Sequence, residues 1–276
     1  MSLRTHRCAA QREARATGLR ATGLRASELP ACFPLTFPPA HRLLHALTRA
    51  LLPEGRCRLC ALPSRAPLCS ACQCAYGLPG LRRCPRCASL LPDAAARCGA
   101  CALHPPAHVR AMAWGDYVPP LDRLIASVKF GGDAALARWL GGLLAQRLPP
   151  AWSPLPHPPP LVVPVPLSMQ RLRQRGYNQA WEIARGLAAA LQWPCDCQRL
   201  LRVRDGPAQS SLPLARRAAN LRGAFVAHAL PRACTVLLVD DVMTSGSTAE
   251  HACRALLRGG AREVAVAVVL RTPAPR

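Results

Sequence analysis

The 276-residue sequence predicts an α/β fold, a parallel sheet with crossover helices, preceded by a small cysteine-rich module. Three observations carry this. Val236–Val239 and Val264–Leu270 are continuous apolar runs, as expected of parallel strands covered on both faces. Between them Ala252, Ala255, Leu256 and Gly259 recur at helical spacing, completing a strand–loop–helix–strand unit. Upstream, eight cysteines form four Cys-x-x-Cys pairs: Cys57/Cys60, Cys69/Cys72, Cys84/Cys87 and Cys98/Cys101.

The elements follow in order. Residues 1–54, rich in Ala and Arg with a near-duplicated ATGLRATGLRAS, read as a disordered extension with one short amphipathic helix over His41–Leu52. Residues 55–105 hold the cysteine pairs. Two Cys-x-x-Cys knuckles supply the tetrahedral sulfur cage that zinc prefers, so four knuckles make a double zinc ribbon holding about two structural zinc ions. Four disulfides are the alternative, disfavoured by the absence of a signal-peptide pattern and by the enzyme-like remainder. Spacing permits consecutive or interleaved sites, and Cys74 can stand in for Cys72. Cys195, Cys197, Cys234 and Cys253 read as buried, inert thiols.

Residues 111–276 form the α/β domain. MAWGDYV and LVVPVP read as strands; PPLDRLIASVKF, DAALARWLGGLLAQRL and Asn178–Leu191 as helices; and Arg199–Val203 as a short strand. Residues 204–222 make a polar lid-like loop carrying Arg204, Gln209, Arg216, Arg217 and Asn220.

The candidate site lies in VLLVDDVMTSGST, residues 236–248. A loop of small hydroxyl residues around one glycine turns backbone N–H groups toward an anion, and the next helix adds its positive dipole end. No lysine follows the glycine, which excludes the nucleoside-triphosphate P-loop. Two aspartates repel a bare phosphate but accept from the vicinal hydroxyls of a sugar, so a ribose 5-phosphate fits both halves. The stretch resembles the phosphoribosyl-pyrophosphate (PRPP) motif of type I phosphoribosyltransferases. The resemblance makes Asp240 and Asp241 the candidate catalytic, ribose-binding residues and gives the 5-phosphate to Thr244, Ser245, Gly246, Ser247 and Thr248. Arg171, Arg173 and Arg175, in RLRQRGYNQA just after a strand, can meet the pyrophosphate. Arg204 and Arg217 of the lid are further candidates, as is Lys129, the only lysine beside 35 arginines.

The ordered set of four Cys-x-x-Cys pairs, VKFGGD, VPVP, RLRQRGYNQA, Gln209…Arg217…Asn220…GAF and the PRPP motif resembles the competence protein F family. That resemblance covers residues 55–272. It implies a bacterial cytoplasmic protein, PRPP bound with Mg²⁺, and a link to DNA uptake. Two functions follow: a glycosyltransferase moving a phosphoribosyl group to an acceptor that no motif specifies, or a non-catalytic accessory protein binding single-stranded DNA or uptake proteins. The net charge of +22 attracts polyanions. Twelve aromatics, with only Tyr76 in the ribbon, are few for single-strand stacking platforms. No apolar run reaches the roughly 18 residues of a membrane span.

Overall fold

The computed structural model describes residues 55–77, 81–92, 95–148, 160–204, 223–231 and 234–273, all within one unit, Glu54–Arg276. The extension with its expected helix at His41–Leu52, and Arg217 with most of the lid, lie outside the described residues.

The cysteine module is an internal repeat of two turn–helix knuckles. Helix α1 (Ser70–Gly77) follows Cys69, and α2 (Gly99–Leu103) follows Cys98. Each first knuckle closes in the same way, with Ala61 N–H donating to Cys57 C=O at 2.9 Å and Ala88 N–H to Cys84 C=O at 2.8 Å.

Next come β1 (Arg110–Asp116), α3 (Asp122–Phe130), α4 (Ala134–Ala145), β2 (Leu161–Pro164), α5 (Met169–Arg175) and α6 (Gln179–Leu191). A short antiparallel pair follows, β3 (Leu200–Arg202) with β4 (Phe225–Ala227), then β5 (Thr235–Met243), α7 (Ser247–Arg258) and β6 (Glu263–Arg271). The main sheet is parallel throughout, in the order β1-β6-β5-β2. Helix ends obey their caps: Asp133 accepts from Leu136 N–H at 2.9 Å, and Asn178 from Ala180 N–H at 3.0 Å.

Alternation along the central strands divides the core in two. Leu237, Val239, Ala265 and Ala267 face α4 and α6, beside Leu140, Leu144, Ile183 and Leu187. Val236, Leu238, Val264 and Val266 face α7, beside Cys253 and Leu256. Helices α4 and α6 touch backbone to backbone, because a Cβ on Gly186 would fall 1.9 Å from the Arg138 carbonyl oxygen. The apolar packing also crosses the segment between the module and the sheet. Cys57, Leu68 and Cys72 belong to the same buried cluster as Trp114 and Leu121, and Ala88 belongs to the opposite one.

Two departures from expectation bear on the site. Strand β5 runs on to Met243, so both aspartates lie within it rather than at its end beside the loop. RLRQR is a helix of its own, capped by Ser168 and closed by Gly176 in the left-handed region. Pro166, which has no N–H to donate, follows β2 before that helix begins.

Candidate functional site

The site gathers at the carboxyl ends of parallel strands, where open α/β sheets take ligands. Because β5 continues through both acids, they point to opposite faces. Asp241 follows Leu237 and Val239 toward α6 and is 4% exposed. Its Oδ2 accepts from Gln179 Nε2 at 2.9 Å, and its Oδ1 lies 3.2 Å from Lys129 Nζ. Asp240 follows Leu238 and lines a small hollow with Val165, Met243, Thr244, Gly246, Thr248 and Ala249. Its Oδ1 accepts from the Asp241 backbone N–H at 2.8 Å. Burial, reinforced by the charge of Asp241, pushes the Asp240 carboxyl up to about 7, against that N–H and the charges of Lys129 and Arg175.

The loop after β5 turns into α7 at Gly246, whose φ of +82° is left-handed backbone that a side chain disfavours. Ser245 and Ser247 share a hydroxyl contact of 3.0 Å, and Ser247 N–H donates to Ser245 Oγ at 3.3 Å. Small hydroxyl side chains thus surround the open N-terminus of a 12-residue helix, an arrangement suited to an anion.

Across from this loop, α5 stands beside the acids. Burial lowers the pKa of the Arg175 guanidinium, partly countered by Asp241 and Asp240, and its charge lies 5.6 Å from the centre of the exposed Phe130 ring. Arg171 is half-buried one helical turn away, whereas Arg173 is exposed. Arg204 lies exposed just past β3. Of the candidate basic residues, then, Lys129 and Arg175 sit at the acids.

Gln179 and Arg271 hold the site together without having been singled out in the sequence. Gln179 stands directly after the Asn178 cap, so its position was legible as the buried first turn of a helix aimed at the strand end. Arg271 ends β6, and its Nη1 donates to the carbonyls of Met243 (3.0 Å), Thr272 (2.7 Å) and Thr244. The only sequence signal was an arginine directly after a seven-residue apolar run.

In the module, Cys57, Cys60, Cys69 and Cys72 form one group and Cys84, Cys87, Cys98 and Cys101 the other, with the sulfurs of each group all within 4.8 Å of one another. The sites are consecutive, and Cys72 rather than Cys74 completes the first. Sulfur separations of 3.7 Å (Cys60–Cys69) and 3.5 Å (Cys87–Cys98) are far beyond a disulfide bond and close to the edge of a zinc–thiolate tetrahedron. The backbone N–H groups of Cys69 and Cys98 point at the sulfurs of Cys57 and Cys84. Burial raises the Cys57 thiol, but N–H donation from Cys60, Cys69 and Leu59 outweighs it and holds the group near 6. The donor set therefore fits a zinc ion in each group. Cys234 and Cys253 are buried and Cys195 half-buried, while Cys197 is exposed, which corrects its reading as a buried thiol: it sits in a surface turn whose neighbour Asp196 accepts from Gln198 N–H.

No helix among the described residues is long and apolar enough to cross a membrane. A phosphoribosyl transferase domain model matches residues 179–276, which include β5, the loop and Gln179. The DNA utilization protein YhgH of Salmonella typhi is 34% identical over 222 residues, covering 79% of this chain and 97% of that protein. Competence protein F of Haemophilus influenzae is 32% identical over 205 residues, or 72% of this chain and 88% of that one. Among solved structures, a glutamine PRPP amidotransferase from B. subtilis complexed with ADP and GMP aligns over 50% of this chain, at 24% identity and a TM-score of 0.34. The aligned part spans only 26% of that larger enzyme. The chain belongs to the competence protein F family and carries a phosphoribosyl transferase domain.

Proposed function

We propose that the chain binds PRPP at the carboxyl end of β5 and transfers its phosphoribosyl group to an acceptor. The observation that carries this reading is the placement of Asp240, with its raised pKa, beside a hydroxyl-rich loop that opens onto the N-terminus of α7. The 5-phosphate would sit on N–H groups and hydroxyls of residues 244–248. Asp240 and Asp241 would accept from the ribose hydroxyls, with Lys129 and Gln179 holding Asp241 in place. Arg175 and Arg171 would face the pyrophosphate, whose charge Mg²⁺ neutralises when bound with it. The C1–O bond to pyrophosphate then breaks through an oxocarbenium-like state. Pyrophosphate leaves with the bonding electrons, and the acceptor bonds to C1 and loses its proton to solvent. Positioning and electrostatics supply the catalysis. Arg204 and Arg217 would join if the 204–222 segment closes as a lid. Residues 55–105 would hold two zinc ions and residues 111–276 the transferase site, in a cytoplasmic protein.

Calorimetry with PRPP, with and without Mg²⁺, tests binding; pyrophosphate release in an acceptor screen tests transfer. Micromolar, Mg²⁺-dependent binding is expected. No binding at millimolar PRPP with Mg²⁺ would remove the ligand assignment.

The names of the relatives favour a second reading, in which the protein serves DNA handling without catalysis. Here the arginine-rich surface would contact single-stranded DNA or uptake proteins. Weak, sequence-indifferent binding that falls steeply with salt is expected from phosphate contacts alone. PRPP binding without turnover on any acceptor would select this reading.

A further inference from the structure

We infer that Arg271 is a positioning residue that couples the second four-cysteine site to the phosphate loop, so that metal held there and ligand held on the loop strengthen each other. The inference rests on the PRPP reading above and on zinc filling Cys84, Cys87, Cys98 and Cys101. Arg271 is 9% exposed, and one guanidinium serves four carbonyls. Its Nε donates to Cys87 C=O at 2.9 Å. Its Nη1 donates to Met243 and Thr272, at 3.0 and 2.7 Å, and to Thr244. Cys87 is a ligand of the second site, while Met243 and Thr244 lead into the loop. No carboxylate among the described residues pairs with Arg271, so carbonyl dipoles alone meet its buried charge.

A planar, five-donor cation fixed this way has little freedom. If the Cys84–Cys87 turn relaxes, the Cys87 carbonyl moves, Arg271 loses an acceptor, and the carbonyls at the loop's base lose their common donor. Metal sites are routinely tuned through such partners beyond their ligands. Around this link lies a cleft of about 670 Å³, with Cys98, Cys101 and His104 on the module side and Ser245 and Ser247 on the loop side. A further tie runs alongside, from Ala107 N–H to Glu250 Oε2 at 2.8 Å. The first cysteine site is connected elsewhere: Arg58 of its first knuckle pairs with Asp133 at 2.8 Å, at the start of α4. The coupling should therefore be confined to one of two nearly equivalent metal sites, which makes the other an internal control.

Full-length protein loaded with cadmium-113 gives one NMR resonance per four-cysteine site, assigned through couplings to the cysteine β-protons. Saturating PRPP with Mg²⁺ is expected to shift the Cys84/Cys87/Cys98/Cys101 resonance and leave the Cys57/Cys60/Cys69/Cys72 resonance in place. Arg271→Met should abolish the shift and weaken PRPP binding about tenfold or more, a coupling of ordinary size. Arg271→Lys, which keeps charge but not the fork, should recover only part of either. Arg254→Met, on the same cleft, should change neither. Wild type that binds PRPP with both resonances unmoved, or with both moving alike, would overturn the coupling alone, whether or not the Arg271 variants fold. Wild type that binds no PRPP would overturn it together with the reading beneath it.

Discussion

On one face of β5, Asp241 is buried against Gln179 and 3.2 Å from Lys129, so its charge is met before any ligand arrives. One residue earlier, on the other face, Asp240 borders the loop hollow, and its carboxyl is raised toward neutrality by burial and by Asp241. Adjacent residues of the same type thus sit in different surroundings, one paired with Lys129 and Gln179 and one bordering the loop. A paired, buried carboxylate contributes rigidity, whereas a partly desolvated one lacking a cation of its own gains most from a ligand that donates hydrogen bonds. On the proposed PRPP reading, Asp241 would chiefly hold the site and Asp240 would chiefly meet the ligand.

The largest effect should come from breaking the paired face. Lys129→Met leaves Asp241 buried without its cation and should destabilise the fold by about 2–3 kcal/mol at neutral pH. Denaturant titrations of this variant and of Lys129→Arg, which keeps the charge, check this at pH 7, and equal deficits in the two would count against a charge origin.

Changes on the open face should spare the fold and strike the ligand. Asp240→Asn should weaken PRPP binding roughly ten- to a hundredfold, through loss of a charge-assisted hydrogen bond. The same variant should be slightly more stable than wild type at pH 8. With its pKa raised from an ordinary value of about 3.9, Asp240 costs stability as pH climbs toward 7, and the gain on replacing it should vanish near pH 4. Thermal unfolding across that range reads the effect, and a variant less stable at pH 8 would reverse the assignment of the faces.

A smaller effect lies in the loop. Gly246→Ala should cost about 1 kcal/mol, because the left-handed backbone disfavours any side chain, and should weaken inorganic phosphate and PRPP binding alike. The nearest atom to an added Cβ is Met243 Sδ at 3.8 Å, so the penalty is conformational rather than a clash. Selective loss of PRPP with phosphate binding intact would place the 5-phosphate elsewhere.

Much of this comparison was legible in the sequence. The apolar run before the acids marked a strand covered on both faces, and two consecutive residues of such a strand must face opposite ways. The exact end of β5 was hidden, because acidic residues read as a loop until β6 and Arg271 supply pairing partners through Met243. Lys129 stood out as the lone lysine, but its partner is 112 positions away and only the packing of α3 beside β5 brings them together. Gln179 and Arg271 escaped for a related reason: each acts through a partner far along the chain, at separations of 62 residues to Asp241 and 184 to Cys87. The pairing of the cysteines was open in spacing alone and follows from the two repeated turns, each closing on its own helix.

The most direct measurement is the proton balance of PRPP binding near pH 6.5, obtained by calorimetry in buffers of different ionisation enthalpy, for wild type and Asp240→Asn. Wild type should release more protons than the variant, by about half a proton or more, because a carboxyl poised near 7 must ionise to accept the ribose hydroxyls. Equal proton release by the two proteins, with PRPP bound equally well, would contradict the placement of Asp240 against the ligand.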